Sequence, residues 1–237
     1  MIAISCYFGA KPSGVYNAPR SLRSLFFGNN TDMRSIVEEK GWEYHLLAQM
    51  PPSIDPRISS LQSKFVKFLQ FNFASFNLFN DEDVLYFDHK FEVTENHVET
   101  AKFLCSSSLL IRNTPKIKNF IDQEIKEAER QKRYRDQMHD TVDWINTLVA
   151  SGQYSRQVRI MNTGLIYYRN PERIKKLRDA AFDTCWHLGQ PECQIIWAML
   201  SQKFQTDITQ IEWNQLAPNW KAPSLKDNDL RYLDMGI

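Results

Sequence analysis

The chain has 237 residues, enough for one sizeable core, with 43 % hydrophobic and 13 % aromatic residues and only 8 glycines. Lysine and arginine total 29 against 28 acids, and a net charge of +1 gives no global pull toward nucleic acid or an anionic membrane. No apolar run approaches the roughly 20 residues of a membrane span.

Met1 to Phe8 is apolar but short and lacks a basic leader, so it reads as a first strand rather than a signal peptide. Gly9 to Gly14 then forms a loop, a common place for a nucleotide. Pro12 and the absence of a G-x-G-x-x-G pattern argue against a dinucleotide fingerprint. Ser24 to Phe27 is a second strand, closed by Gly28-Asn29-Asn30. Thr31 is expected to cap a helix that runs to Lys40 and stops at Gly41, and Glu43 to Leu47 is a third strand. Strand, helix and strand at this spacing form a βαβ unit and imply a parallel sheet.

A loop through Pro51-Pro52 and Pro56 leads to a helix from Ser59. Its stripe of Leu61, Phe65, Phe68 and Leu69 is expected to face the sheet. Lys64 and Lys67, three residues apart, share one face beside that stripe. A pair so placed is ordinarily a solvated flank, yet its basic edge could reach an anion at the end of the next strand. That strand is Val84-Leu85-Tyr86-Phe87, a continuous apolar run that reads as buried on both faces and ends abruptly in Asp88-His89-Lys90. Ligands of open α/β sheets sit outside the carboxyl ends of such strands. Asp88 is therefore either a turn cap or the start of a site.

Phe91 to Val93 is a short extension, Glu95 to Lys102 a brief helix, and Leu109 to Arg112 another strand. Asn113-Thr114-Pro115 caps what reads as one long charged helix from Lys116 toward Met138, with i, i+4 pairs Asp122–Lys126 and Glu129–Arg133. The charge run Arg130 to Arg135 fits a solvated face better than a phosphate contact. Val142, Ile145 and Val149 continue as a second helical stripe to Ser151-Gly152. Two strand-like runs, Val158 to Met161 and Leu165 to Arg169, flank Asn162-Thr163-Gly164. That break suggests a bulge or backbone passing close to a ligand. Asn170-Pro171 opens a helix carrying Ile174, Leu177 and Ala181. Gly189-Gln190-Pro191 opens another, from Glu192 to Phe204, and Asp207 to Trp213 alternates as an edge strand. Beyond Ala217 the chain is polar, with two prolines, and reads as a wrapping arm or disordered tail. The cysteines Cys6, Cys105, Cys185 and Cys193 are scattered and form no C-x-x-C pair. Neither a zinc knuckle nor a disulfide framework is indicated, and a reduced, cytoplasmic setting is expected.

Several of these pieces carry a family resemblance. Met161-Asn162-Thr163-Gly164-Leu165-Ile166-Tyr167 is similar to the F-N-x-G-hydrophobic strand of the glycogenin-like and bacterial lipopolysaccharide galactosyltransferases. Pro191-Glu192-Cys193-Gln194-Ile195-Ile196 is similar to their P-D-Q-D helix start, and the helix with Ser63-Lys64-x-x-Lys67 before an acidic strand resembles uncharacterised relatives of that group. In element order, from about Ile2 to Trp213, the chain resembles a GT-A glycosyltransferase. The resemblance implies an α/β fold over residues 1–217, a mixed, mostly parallel sheet flanked by helices, with a C-terminal arm over 218–237.

It also implies transfer of a sugar from a nucleotide-sugar donor, a UDP- or GDP-sugar, to a glycan or glycoconjugate acceptor, with retention of anomeric configuration. Asp88, Glu192 and Gln194 are the implied catalytic positions. Tyr7, Phe8, Gly9, Asn29, Lys64, Lys67, His89, Lys90, Asn162, Thr163 and Gly164 are the implied donor contacts. The family's strand ends D-x-D around Mn²⁺ or Mg²⁺, but here it ends Asp88-His89-Lys90. Either Asp88 ligates the metal, or Lys90 neutralises the diphosphate and no metal is needed. The alternative to catalysis is a nucleotide- or glycan-binding relative that lost its second acid. No nucleic-acid partner and no transmembrane segment are expected, and peripheral membrane contact is left open.

Overall fold

The structure, a computed structural model, describes residues 1–115 and 120–220. Strands β1 (Ile2–Tyr7), β2 (Arg23–Gly28) and β3 (Glu43–Leu46) pair in parallel, and α1 (Met33–Glu39) links the last two, as the βαβ reading requires. Helix α1 starts after Asp32 rather than Thr31. Helix α2 (Pro56–Lys67) starts earlier than expected. Asp55 accepts a hydrogen bond from the Arg57 amide at 2.8 Å, and Pro56 supplies the first-turn φ. Next come β4 (Val84–Phe87), β5 (Phe91–Glu92), α3 (Glu95–Leu104) and β6 (Leu109–Asn113).

The long charged helix expected from Lys116 to Met138 is instead broken. Residues 116–119, where it was to begin, lie outside the described residues. The rest forms α4 (Ile121–Ala128), the single turn α5 (Lys132–Arg135) and α6 (Met138–Ala150). Gln131 takes an extended backbone (φ −101°, ψ 119°), which redirects the chain so that Tyr134 and Met138 reach the core. A straight helix with so narrow an apolar side would have kept them in water.

Strand β7 (Met161–Tyr168) continues through Asn162-Thr163-Gly164 into the second expected run, while of the first expected run only Met161 belongs to it and Arg159 makes an isolated bridge to Phe120. Against β6 the expected bulge is present: Ile111 pairs with Ile166 and Arg112 with Asn162, so Thr163, Gly164 and Leu165 of β7 are the extra residues at the register shift. Helices α7 (Lys175–His187) and α8 (Cys193–Ser201) follow, then the edge strand β8 (Ile208–Ile211) and the short β9 (Asn219–Trp220). From the expected C-terminal arm, Asn219 and Trp220 pair with Glu92 and Phe91, and residues 221–237 lie outside the described residues.

The main sheet has the order β3-β2-β1-β4-β7-β6-β8. All pairings are parallel except the two made by β7, which runs against its neighbours. This is the mixed, mostly parallel sheet flanked by helices that a GT-A-like fold implies. Period-two alternation sends Ile2, Ile4, Cys6 and Phe8 to one face, beneath α2, α7 and α8. Ala3 and Tyr7 go to the other face, beneath α1 and α3. With both faces covered, the strands read as continuous apolar runs.

Helix α2 departs from its expected orientation. Its buried residues are Ser59, Gln62, Lys64, Val66 and Lys67, while Phe65 turns to Phe182 of α7 with ring centroids 6.2 Å apart. Phe68 and Leu69 lie beyond the helix end. The lysine pair is therefore not a solvated flank: Lys64 and Lys67 are 5 % and 4 % exposed.

Candidate functional site

The sequence steps outward from β1 to β2 and β3, then returns to place β4 on the other side of β1. Neighbouring connections diverge at that switch and leave a crevice at the carboxyl ends of β1 and β4. A cleft of about 520 Å³ opens there. Because β7 is antiparallel to β4, its first residues rather than its last lie beside the end of β4. Phe87 pairs with Leu165, and the Asp88 amide donates to the Gly164 carbonyl at 2.9 Å. Topology thus brings Asn162-Thr163-Gly164 to Asp88. Gly164 is needed at that crossing, since a Cβ there would stand 2.6 Å from Phe91 Cε2 and 3.0 Å from Asp88 Oδ2.

One corner of the cleft is cationic. Lys67 Nζ lies 3.2 Å from Asp88 Oδ1, and the Tyr86 hydroxyl donates to the same oxygen at 2.7 Å. Burial alone would raise the Asp88 carboxyl, but Lys67, Lys90 and the Tyr86 hydroxyl outweigh it and hold its pKa at about 2. Burial would likewise lower the Lys67 ammonium, yet the Asp88 charge beside it keeps its pKa above the ordinary lysine value. Both groups are ionised at neutral pH. Burial also pushes the Cys6 thiol up to about 12, so Cys6 serves as a neutral neighbour of Tyr86, 3.7 Å away.

The backbone under Lys67 is clamped. The Tyr168 hydroxyl donates to the Lys67 carbonyl at 2.8 Å, and Arg178 donates to the carbonyls of Phe68 and Leu69. Leu69 adopts a left-handed φ of 51°, a conformation a leucine holds only where its surroundings require it. Lys64, one turn earlier, also lines the cleft but makes no side-chain hydrogen bond or ion pair with any described residue. Lys64 acts on Asp88 at longer range, and a buried ammonium facing a cleft with no close ion-pair partner among the described residues can receive an anion.

The opposite wall is a polar relay. Buried Arg112 donates to Asn162 Oδ1 at 3.3 Å and to the Leu216 carbonyl, with its guanidinium 3.7 Å over the Trp213 ring. Burial pushes its pKa down to about 9. Asn162 Nδ2 donates to Gln194 Oε1 at 3.3 Å, and Gln194 Nε2 lies within 3.4 Å of Glu124 and 3.3 Å of Glu192. Glu192 also accepts from the Gln194 amide at 3.1 Å as the N-cap of α8, so its carboxylate is occupied in helix capping.

Of the residues implied by the resemblance, Tyr7, Phe8, Lys64, Lys67, Asp88, His89, Lys90, Asn162, Thr163, Gly164, Glu192 and Gln194 all line this one cleft. Gly9 and Asn29 do not. Asn29 accepts from the Gly9 amide at 3.1 Å and donates to Gln62 at 3.1 Å, which clips the first loop to α2. Sequence reasoning missed Tyr86, Arg112, Glu124, Cys193 and Trp213. Two of these carried a signal. Arg112 ends an apolar strand in a charge, as Asp88 does, and Tyr86 lies two residues before Asp88, hence on the same side of its strand.

The D-x-D resemblance raises the question of a divalent ion, and the donor set here does not suit one. Such ions take several oxygen ligands. At this corner the carboxylate is Asp88, whose Oδ1 already receives Lys67 and Tyr86. His89 packs edge-on to Tyr7 at 4.9 Å, and Lys90 lies over the Trp220 ring at 5.1 Å. Among the described residues no group of three or more His, Cys, Asp or Glu is arranged to hold a metal.

No protein-family model matches the chain, and no curated protein matches it. Among solved structures it is similar to 4-diphosphocytidyl-2C-methyl-D-erythritol synthase from Anaerococcus prevotii, at 11 % identity and a TM-score of 0.44, over 98 % of this chain and 93 % of that one. It is also similar to mouse xyloside xylosyltransferase 1 in its apo form, at 12 % identity and a TM-score of 0.44, over 90 % and 85 % of the two chains. Neither likeness bears on the chemistry, for which the cleft itself is the guide. No helix among the described residues is long and apolar enough to cross a membrane.

Proposed function

We propose that the chain is a glycosyltransferase that moves a sugar from a nucleotide-sugar donor to a glycan or glycoconjugate acceptor. The observation that carries this reading is Lys64, a buried ammonium without an ion-pair partner among the described residues, in a cleft at the sheet's switch point beside the Lys67–Asp88 pair. Such a corner suits the diphosphate of a donor, whose negative charge grows as the sugar–phosphate bond breaks. Cations already in place stabilise that charge without rearranging.

The nucleoside end would lie toward Tyr7 and Phe8 at the end of β1. The sugar would lie against Asn162 and Gly164, with Gln194 and Glu124 on the acceptor side. Two carboxylates of the cleft are poorly suited to act as a base, since Asp88 is held ionised at low pKa by lysines and Glu192 caps α8. That supports the retaining course. The bond from the anomeric carbon to phosphate oxygen breaks, a bond to the acceptor oxygen forms on the same face, and the acceptor proton passes to the departing phosphate.

Calorimetric titration with UDP, GDP and their sugars, followed by assay of donor consumption with and without glycan acceptors, tests the proposal. Turnover of one donor is the expected result. Tight binding with no turnover under any acceptor would instead identify a binding module, and no binding of any nucleotide would refute both.

A further inference from the structure

We propose that this cleft neutralises the diphosphate of its ligand with protein ammonium groups alone: Lys64, Lys67 and Lys90 occupy the position a bridging divalent ion would otherwise hold. The inference rests on the donor reading of the cleft and goes further by stating how the diphosphate is held.

Three observations converge on it. First, the carboxylate that would anchor an ion is already engaged, because Asp88 Oδ1 accepts from Tyr86 at 2.7 Å and pairs with Lys67 at 3.2 Å. An ion brought to Asp88 would find Oδ1 taken and would enter the field of a fixed ammonium. Second, the lysines are built in rather than draped over the surface. Lys64 and Lys67 stand one helical turn apart on the cleft face of α2, and the Lys67 carbonyl and the two that follow are held by Tyr168 and Arg178. Surface lysines chosen by chance would not carry such backbone support. Third, the charges match. Lys64, Lys67 and Lys90 line the cleft together and all act electrostatically on Asp88, and a nucleotide-sugar diphosphate, with about two negative charges at neutral pH, is their opposite in sign. Lys64 gains most, since it has no close ion pair among the described residues to offset its burial.

The hydroxyl-bearing residues of α2 extend the cradle. Ser60, Ser63, Lys64 and Lys67 follow the spacing i, i+3, i+4, i+7, so one polar stripe of the helix borders the cleft. Such a stripe grips phosphate oxygens by hydrogen bonds and point charges, with no demand for the multidentate geometry of an ion site.

The test is calorimetry with inorganic pyrophosphate, UDP and GDP, each in EDTA and again in Mn²⁺ or Mg²⁺, beside electron paramagnetic resonance of Mn²⁺ added to the protein alone. The expected result is binding in EDTA that changes by less than about threefold when the ion is supplied, a Mn²⁺ spectrum equal to that in buffer, and an EDTA affinity that falls by about tenfold or more in Lys64→Met. Thermal melting of that variant confirms that it is folded. Binding that appears only with the ion, or a protein-bound Mn²⁺ spectrum abolished by Asp88→Asn, would overturn the inference while leaving the donor reading intact. Undiminished EDTA binding in Lys64→Met would also overturn it. Absence of binding under both conditions would overturn the donor reading and this inference together.

Discussion

Lys67 and Asp88 form an ion pair at 3.2 Å that ties the last turn of α2 to the end of β4 beneath the cleft. The Lys67 side chain is 5 % exposed and that of Asp88 27 %, so each shields the other's charge from an otherwise apolar setting. Removing one partner of such a pair strands the other, whereas removing both relieves the cost. Lys67→Met and Asp88→Asn should each destabilise the fold by about 3 kcal/mol, and the double variant by clearly less than their sum. Urea unfolding of the four proteins closes this cycle. Additive losses would show that the pair contributes nothing as a pair.

The same pair sets a pH dependence. The Asp88 carboxyl sits at about 2 in the folded chain against an ordinary 3.8. Burial pushes it up, and Lys67, Lys90 and Tyr86 more than reverse that. Since the folded pKa is depressed, the unfolded chain takes up this proton first as the pH falls. The stabilisation is fully present above about pH 4 and is lost between about pH 4 and pH 2, with an upper limit of roughly 2 kcal/mol, reduced by partial exposure. The stability difference between the natural chain and Asp88→Asn should therefore shrink on acidification through this window. A gap that stays constant would argue against the assignment.

Gly164→Ala tests the crossing of β7 over Asp88. The added methyl would come within 2.6 Å of Phe91 Cε2, a ring that is itself 2 % exposed and has little room to retreat. Overpacking of this kind costs about 1–3 kcal/mol. Here the displaced groups are Phe91 and Asp88, so nucleotide binding should fall along with the melting temperature. A variant that loses stability but binds nucleotide normally would show that the crossing serves the fold alone.

Much of this corner is legible in the sequence because the strands that build it are buried on both faces. Val84 to Phe87 has no reason to end in Asp88 unless its tip leaves the core, and Asn162-Thr163-Gly164 likewise breaks an apolar run. The orientation of α2 was not legible. Leu61 and Phe65 make an apolar stripe, and a stripe is normally assigned to the sheet, but Phe182 on α7 supplies a second apolar partner and leaves the lysine face to the cleft. The break of the charged helix at Gln131 was hidden for a related reason. Its charges satisfy helical spacing throughout, and only the tertiary demand to bury Tyr134 and Met138 decides where it bends. Arg112 was passed over because a buried arginine behind a site is found by what surrounds it. Asn162, Trp213 and the Leu216 carbonyl meet it only once β6, β7 and the C-terminal segment are assembled.

Lys64→Met should behave oppositely to Lys67→Met, although the two lysines stand three residues apart on one helix. Lys67 has Asp88 as its counter-ion, so its removal exposes a cost. Lys64 has no hydrogen bond or ion pair with a described residue and is 5 % exposed, and Asp88 acts on it only at longer range, so the desolvation of its ammonium is only partly offset in the ligand-free chain. Methionine keeps most of the aliphatic length and removes the charge. Stability should hold or rise, by about 1 kcal/mol, while affinity for a nucleoside diphosphate falls by about tenfold or more. Urea midpoints and calorimetry on the same preparation give both quantities. A lysine retained for packing would show the reverse, a loss of stability with affinity unchanged. Stability given up at a residue whose gain comes only with ligand is the signature expected of a binding group.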